Sequence, residues 1–220
     1  MKISELLFPR KCPFCRKLLN DTEELLCGEC RKELPWTGSG SQSRGSFFSV
    51  CVSPLYYAGR AREALLRFKF SGKRSYARCF GKLMAECVKK ELAELPAEVT
   101  YVPLSFLRFR QRGYSQTRLL AKVISRELGI PCIRLLRKRR HTRMQSHLRG
   151  EAARKANVSG AFSMVKGADV SGKMILLADD VLTTGATLAE CSRVLLTAGA
   201  ERIVCATVCK AQSGKNRERP

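Results

Sequence analysis

Two adjacent carboxylates, followed by a loop of hydroxyl residues and glycine, form the most chemically informative segment of this chain. Asp179 and Asp180 come directly after the apolar run 174–178, which predicts a buried parallel strand. Loop amides and a helix N-terminus bind anions, whereas carboxylates would repel an anion and instead accept hydrogen bonds from neutral hydroxyls. The pattern therefore predicts a site for a sugar phosphate that carries a cis-diol. The loop reads Val181, Leu182, Thr183, Thr184, Gly185, Ala186 and Thr187, and a helical pattern covers 188–198.

A structural alternative is that one aspartate merely caps the following turn. A tandem pair in front of Thr-Thr-Gly suits that alternative poorly. Residues 176–187 resemble the signature by which type I phosphoribosyltransferases bind 5-phosphoribosyl-1-pyrophosphate (PRPP). The resemblance implies that Asp179 and Asp180 hold the ribose 2- and 3-hydroxyls, and that residues 183–187 hold the 5-phosphate.

Two Cys-x-x-Cys pairs near the N-terminus have the spacing of metal ligands. Cys12 and Cys15 form the first pair, and Cys27 and Cys30 follow after eleven intervening residues. Two such knuckles can close a tetrahedral four-thiolate zinc site, which is typical of a structural ion. Because segment 1–36 is too small for a core of its own, we expect zinc to supply much of its stability. Incidental thiols would not explain the doubled spacing, and a redox dithiol lacks its usual strand–helix context.

The chain is strongly basic, with 41 lysines and arginines against 19 acidic residues and a net charge of +22. Between residues 108 and 155, 15 basic residues face only Glu127 and Glu151. Such a field attracts polyanions, either nucleic acid or a substrate that carries pyrophosphate. A solvated basic face is the alternative, and an aromatic content of 7% gives weak support to a stacking platform for single strands.

No apolar run approaches the roughly 18 residues of a membrane helix, and the apolar cluster near the N-terminus is too short for a signal peptide. We therefore expect a cytoplasmic protein without membrane insertion. Its 11 cysteines are expected to be mostly reduced there.

Helical and strand patterns alternate from residue 47, which predicts an α/β domain with a mainly parallel sheet. Ligands of such sheets bind beyond the carboxyl ends of the strands, where the aspartates lie. The Gly/Ser-rich segment 37–46 predicts a flexible linker between module 1–36 and domain 47–212, and the polar segment 213–220 predicts a disordered tail. The patterns predict helices over 60–70, 76–95, 115–128 and 188–198, and strands over 49–57, 99–102, 132–136, 174–178 and 202–209.

Three further segments have residues that could contact a ligand. A basic loop after the strand 99–102 carries Arg108 and Arg112, whose guanidinium groups can bind a diphosphate in a bidentate manner. The polar stretch 142–157, which includes Arg154, has few apolar anchors and predicts a lid over a charged ligand. Segment 57–72 is as consistent with an ordinary amphipathic helix as with a role in binding.

The order of these motifs resembles the ComF family of competence-associated phosphoribosyltransferase-like proteins. The resemblance covers about residues 12–208 and rests on the cysteine pairs, Lys69-Phe-x-Gly, Arg108-x-x-x-Arg-Gly-Tyr, Arg154-x-x-Asn-Val and the PRPP signature. It implies a type I phosphoribosyltransferase-like sheet flanked by helices, with a small N-terminal four-cysteine zinc ribbon.

The same resemblance implies a Mg²⁺-dependent transfer of the phosphoribosyl group to a nitrogen acceptor. Asp179, Asp180, Arg108 and Arg112 would then be catalytic, and Arg154 would belong to the lid. Two alternatives stay open at this point. In one, the protein binds single-stranded DNA and only retains the PRPP pocket; in the other, the ribbon docks a helicase-like competence partner.

Overall fold

The computed structural model describes residues 9–140 and 151–212. Within these ranges the helices are α1 (Gly28–Glu33), α2 (Gly59–Phe70), α3 (Tyr76–Glu91), α4 (Phe106–Arg112), α5 (Gln116–Leu128), α6 (Glu151–Val158) and α7 (Ala186–Thr197), with a 3-10 turn at Gly38–Gly40. The strands are β1 (Gln42–Gly45), β2 (Phe48–Val52), β3 (Leu55–Tyr56), β4 (Glu98–Tyr101), β5 (Leu136–Lys138), β6 (Phe162–Met164), β7 (Met174–Leu182) and β8 (Arg202–Lys210).

The main sheet has the order β1-β2-β8-β7-β4, and β3 also pairs with β8. All pairs are parallel except that of β1 with β2. Strands β7 and β8 lie at the centre and are almost entirely buried, as expected for strands covered by helices on both faces. The predicted α/β class with a mainly parallel sheet is therefore confirmed.

Two apolar cores lie on opposite faces of this sheet. One contains residues of α2, α3, α5 and the cysteine-rich N-terminal segment. The other contains residues of α7 and of the separate antiparallel hairpin β5–β6, together with Val158 of α6. We call these the ribbon side and the hairpin side of the sheet.

Residues 37–46 differ from the flexible linker that their composition predicts. They contain the 3-10 turn and the edge strand β1, which pairs with β2 from Gln42 opposite Val52 to Gly45 opposite Phe48. Thr37 is buried and its hydroxyl donates to the carbonyl oxygen of Ser53 at 2.7 Å. The glycine and serine content predicts flexibility, but backbone hydrogen bonds between β1 and β2 order the segment, and composition does not encode such pairing.

Two other elements differ from the sequence patterns. Residues 106–112, predicted as a basic loop, form α4, whose side chains are at most partly buried, so that it has no apolar periodicity to detect. The predicted strand 132–136 is reduced to a bridge of Cys132 with Val99, and the chain then continues into β5. The predicted tail 213–220 and most of the predicted lid lie outside the described residues, and residues 151–158 form α6.

Candidate functional site

Unequal strand lengths open a crevice at the carboxyl edge of the sheet. Strand β4 ends at Tyr101, which pairs with Ala178, whereas β7 continues to Leu182 along β8. Beyond Ala178, one side of β7 therefore has no neighbouring strand in the part of the chain that the structure describes. The strand was predicted to end at 178; it instead carries both aspartates on its extension, so the sheet itself fixes their backbone.

One cavity of about 300 Å³ lies over this extension. That volume is at the lower end of the range for small-molecule sites. The structure brings every catalytic and substrate-binding residue predicted from the sequence to the cavity wall. They are Arg108, Arg112, Arg154, Asp179, Asp180, Val181, Leu182, Thr183, Thr184, Gly185, Ala186 and Thr187.

The loop after β7 has the geometry of an anion site. Gly185 is the N-cap of α7 and has φ 75°, a left-handed conformation that side chains disfavour. The first turn of α7 starts at Ala186, so the positive end of the helix dipole lies at this loop and favours a negatively charged ligand. The helix begins two residues earlier than predicted, which places Thr187 in this first turn.

The two aspartates extend to opposite faces of the sheet, as successive strand residues do. Asp180 lies on the ribbon side, where its Oδ1 is 2.7 Å from the Nζ of Lys69 and both side chains are mostly buried. Lys69 stands in the last turn of α2, more than a hundred residues away in sequence. The pair gives Asp180 a fixed partner before any ligand binds.

Asp179 lies on the hairpin side in a different environment. Its Oδ1 accepts a hydrogen bond from the amide of Asp180 at 2.8 Å. Burial, and then the charge of Asp180, raise the pKa of Asp179 to about 7. The hydrogen bond from the amide of Asp180 and the charges of Lys69 and Lys138 act in the opposite direction. Asp179 therefore keeps its proton to a higher pH than an exposed aspartate does.

Cations crowd the remaining wall of the cavity. Burial lowers the pKa of Arg108, with a further contribution from the charge of Arg112, although a guanidinium stays protonated at neutral pH. Burial and then the charge of Arg108 lower the pKa of Lys138 to about 8. Together with Arg154 these side chains form a cationic wall that suits a ligand with several negative charges.

Sequence reasoning missed Lys69 and Lys138. Lys69 lies in the Lys69-Phe-x-Gly motif, but an amphipathic helix explained that motif equally well. Lys138 was counted only as part of the basic run around it. Their positions follow from how the tertiary structure brings the end of α2 and strand β5 to the cavity beside β7, which no local pattern encodes.

The four predicted zinc ligands converge at the N-terminus. The Sγ atoms of Cys12, Cys15, Cys27 and Cys30 all lie within 4.8 Å of one another, and those of Cys15 and Cys27 are 3.5 Å apart. A tetrahedral zinc ion with Zn–S bonds near 2.3 Å separates its sulfurs by about 3.8 Å. The residues present therefore fit one four-thiolate zinc ion, and the thiols occupy all four ligand positions.

Two families of known domains match this chain. Residues 115–219 match the phosphoribosyl transferase domain, and residues 3–45 match the double zinc ribbon domain. Fold and site together thus define a phosphoribosyltransferase-type protein with an N-terminal zinc ribbon.

Several curated proteins are similar over most of the chain. Competence protein F of Haemophilus influenzae is 30% identical over 218 residues, which cover 89% of this chain and 95% of that protein. DNA utilization protein YhgH of Escherichia coli is 28% identical over 204 residues, which cover 90% and 83%. Competence protein ComFC of Bacillus subtilis is 29% identical over 189 residues, which cover 86% and 72%. The chain belongs to the competence protein F family, as the order of its motifs predicts.

Among solved structures, the glutamine PRPP amidotransferase of B. subtilis is similar with a TM-score of 0.44 and 23% identity, over 64% of this chain and 30% of that one. At that score the strand order and the domain match, rather than this neighbour, define the fold. Among the described residues no helix is long and apolar enough to cross a membrane.

Proposed function

We propose that this protein binds PRPP and transfers its phosphoribosyl group to a nitrogen acceptor. One observation carries the proposal: the aspartate pair, the Thr/Gly loop and a wall of cations line a single cavity at the carboxyl edge of the sheet. This is the place where open α/β sheets bind ligands. The match to the phosphoribosyl transferase domain supports the same assignment.

Each wall of the cavity has a role in this reaction. The loop 183–187 would bind the 5-phosphate through backbone amides and hydroxyls. The carboxylates of Asp179 and Asp180 would accept hydrogen bonds from the two ribose hydroxyls. When the acceptor nitrogen attacks C1, the C1–O bond breaks and the electron pair leaves with the diphosphate. Arg108 and Arg112 would neutralise that leaving group, and positive charge on the ring would be stabilised by the nearby carboxylates.

Mg²⁺ is the metal that the phosphoribosyl transferase domain implies. Carboxylate oxygens are hard ligands of the kind Mg²⁺ prefers, and Asp179 and Asp180 are the acidic side chains of the described cavity wall. Bound with the diphosphate, the ion would supply charge neutralisation. The chain's own part is to orient the ribose with the aspartates and to exclude water with the cavity walls.

Calorimetric titration of Mg-PRPP into the zinc-loaded protein tests the proposal. We expect binding to the wild type and its loss in Asp179→Asn/Asp180→Asn. Asp169→Asn is the matched control, because this exposed aspartate lies in the turn before β7 and away from the cavity. Absence of binding to the wild type at millimolar PRPP would refute the proposal. Where binding is found, pyrophosphate release across a panel of bases and amines identifies the acceptor.

Helix α4 favours a second candidate function, the binding of single-stranded nucleic acid. Phe106 is 74% exposed and Phe109 47%, with Arg110 over the ring of Phe106 at 5.7 Å. Phe70, 59% exposed, lies under Arg112 at 4.9 Å. Exposed aromatic rings among arginines can stack bases while the charges hold phosphates. The names of the relatives, which refer to competence and to DNA utilization, agree with such a role.

Fluorescence anisotropy with a labelled oligothymidylate tests this second function. We expect binding that weakens steeply with salt and is reduced by Phe106→Ala/Phe109→Ala. Phe47→Ala is the control, since Phe47 is 52% exposed in the β1–β2 turn, far from α4 in sequence. Equal binding by both variants would exclude α4 as the contact surface.

We also propose a cytoplasmic location. All 11 cysteines are free thiols, and four of them form a cluster that requires reduced sulfur. Reducing compartments preserve such thiols, whereas oxidising compartments convert them to disulfides.

A further inference from the structure

We propose that the zinc ribbon controls the affinity of the PRPP cavity through helix α2, with Lys69 as the positioning residue at its end. The inference rests on the proposed function, because it concerns how the same cavity is held ready. It assigns to the ribbon a role in substrate binding in addition to any contact with other molecules.

Helix α2 is attached to the ribbon near both ends. In its first turn, Nη1 of Arg60 lies 2.8 Å from Oε1 of Glu29, 3.1 Å from Oε2 of Glu33 and 3.7 Å from the Sγ of Cys30. Two turns later, Nη2 of Arg67 donates to the carbonyl oxygens of Pro13 and Phe14 at 3.0 and 2.7 Å. Those carbonyls lie inside the knuckle between Cys12 and Cys15. The cysteine knuckle therefore sets the position of α2 directly.

The last turn of α2 also carries the residue that reaches the cavity. Lys69 comes two residues after Arg67, and its Nζ is 2.7 Å from Oδ1 of Asp180. The carbonyl oxygen of Arg67 accepts the capping amide of Ser71 at 2.9 Å, which closes this turn. Lys69 extends from this turn. Arg67 holds the turn to the ribbon through its side chain and closes it through its backbone carbonyl.

The other side of this turn is held by the main domain. The hydroxyl of Tyr114 donates to the carbonyl oxygen of Phe68, and Nε2 of Gln116 donates to that of Lys69 at 3.3 Å. Oε1 of Gln116 accepts from Arg112 at 3.1 Å, and Arg112 lines the cavity. The turn therefore lies between the ribbon and the cavity wall, with hydrogen bonds to both.

Packed aromatic rings run along the same route. Phe14 of the ribbon contacts Phe80 of α3 with ring centroids 5.6 Å apart, and Phe80 contacts Phe68 of α2 at 5.5 Å. Phe68 in turn contacts Tyr114 at 6.0 Å. Phe14, Phe68 and Phe80 are fully buried. Such a close-packed path transmits a displacement of the knuckle to the end of α2 rather than absorbing it.

Two arginine variants separate this route from general docking of the ribbon. Arg67→Ala removes the anchor on α2, whereas Arg78→Ala removes a contact of α3 with Glu24 of the ribbon. We expect Arg67→Ala to weaken Mg-PRPP binding roughly tenfold, a size that is usual for coupling between two sites. Arg78→Ala should bind as the wild type does. Equal affinity of all three proteins would overturn the proposal.

A double-mutant cycle with Lys69→Met tests whether Arg67 acts through Lys69. If it does, Arg67→Ala has little further effect in the Lys69→Met background. If the two effects multiply instead, the route through Lys69 is wrong.

Hydrogen exchange of the amides of residues 66–72 gives a readout that does not need PRPP. We expect faster exchange in Arg67→Ala, partial recovery in Arg67→Lys, and no change in Arg78→Ala. The recovery in Arg67→Lys keeps the test valid if the alanine variant is unstable. Unchanged exchange in Arg67→Ala would count against the proposal.

The result also distinguishes the two proposals. If the wild type does not bind Mg-PRPP, the proposed function fails. If it binds, with affinity lost in Asp179→Asn/Asp180→Asn but unchanged in Arg67→Ala, only the coupling fails.

Discussion

The dipeptide Asp179-Asp180 places one carboxylate on the ribbon side of the sheet and one on the hairpin side, and the two carboxylates lie in different environments. On the ribbon side, Asp180 has a lysine partner at 2.7 Å, held by a helix that is itself anchored to the zinc ribbon. On the hairpin side, burial and the charge of Asp180 raise the pKa of Asp179 to about 7. Residues that are neighbours in sequence thus have one pre-paired carboxylate and one that titrates near neutrality. The difference comes from the lysine partner on one face and from burial on the other, together with the charge of Asp180 acting on its neighbour.

The largest change to this comparison is expected from loss of the metal. Cys30→Ser removes a ligand from the four-sulfur cluster, and zinc binding supplies folding free energy in such modules. We expect loss of the bound zinc, a strongly lowered Tm, and a free energy of unfolding that is smaller by several kcal/mol. Zinc analysis together with thermal unfolding checks this outcome. Cys132→Ser, at a half-buried cysteine outside the cluster, should keep the zinc.

Removing the ring that joins the ribbon to α2 should have the next largest effect. Phe80 is fully buried between Phe14, Phe68 and Tyr76. Phe80→Ala leaves a cavity in the ribbon-side core and should destabilise the protein by about 3–5 kcal/mol in chemical denaturation. Phe106→Ala, at a ring that is 74% exposed, should change stability little. If Phe80→Ala lost as little stability as Phe106→Ala, the aromatic path would not be part of the core.

The two aspartates should respond with opposite signs when each is changed to asparagine. The pKa of Asp179 is raised from 3.8 to about 7, so the folded protein retains a proton that the unfolded chain releases between these values. Its contribution to stability is therefore present below about pH 4 and lost as pH rises through 7. Asp179→Asn should relieve this cost, by at most ~4 kcal/mol at pH 8 and not at all at pH 4.

Asp180→Asn should instead destabilise the unliganded protein, by about 1–3 kcal/mol, because it leaves the mostly buried Lys69 without its ion pair. Denaturation of both variants at pH 4, 6 and 8 measures the two trends. Equal and pH-independent changes would show that the two faces of the sheet do not differ as the structure indicates.

The smallest effect is expected where the ribbon contacts α3 through exposed charges. Arg78 and Lys82 both reach Glu24, and the carboxylate is 57% exposed. Exposed ion pairs contribute little because water and salt screen them. Arg78→Ala should leave the Tm within experimental error of the wild type. A drop in Tm comparable with that of Phe80→Ala would show that the ribbon is attached mainly to α3 and not to α2.

Most of the secondary structure of the main domain could be predicted from local patterns. The helix predicted over 115–128 spans Gln116–Leu128, capped by the Ser115 side chain and ended by Gly129 in a left-handed conformation. Elements with weak apolar signals were the ones missed. Helix α4 buries none of its residues fully, and β1 contains small and polar residues that pair only as an edge strand.

For the candidate site, the sequence by itself determined the chemistry that is contiguous along the chain. The two cysteine pairs and the segment 179–187 combine reactive groups within a few residues, so spacing alone brings them together. Arg108 and Arg112 were assigned to the diphosphate from their chemistry and from the family resemblance, and the structure places both at the same cavity as that segment.

Only the tertiary structure decided which side chains complete the site. Lys69 and Asp180 are separated by more than a hundred residues, and their pairing depends on where the tertiary structure places the end of α2 relative to β7. The tertiary structure also decided that the ribbon shares one core with the domain, through Phe14 and Phe80. Local spacing encodes groups that one turn or loop can join, whereas partners brought together by packing depend on the whole core.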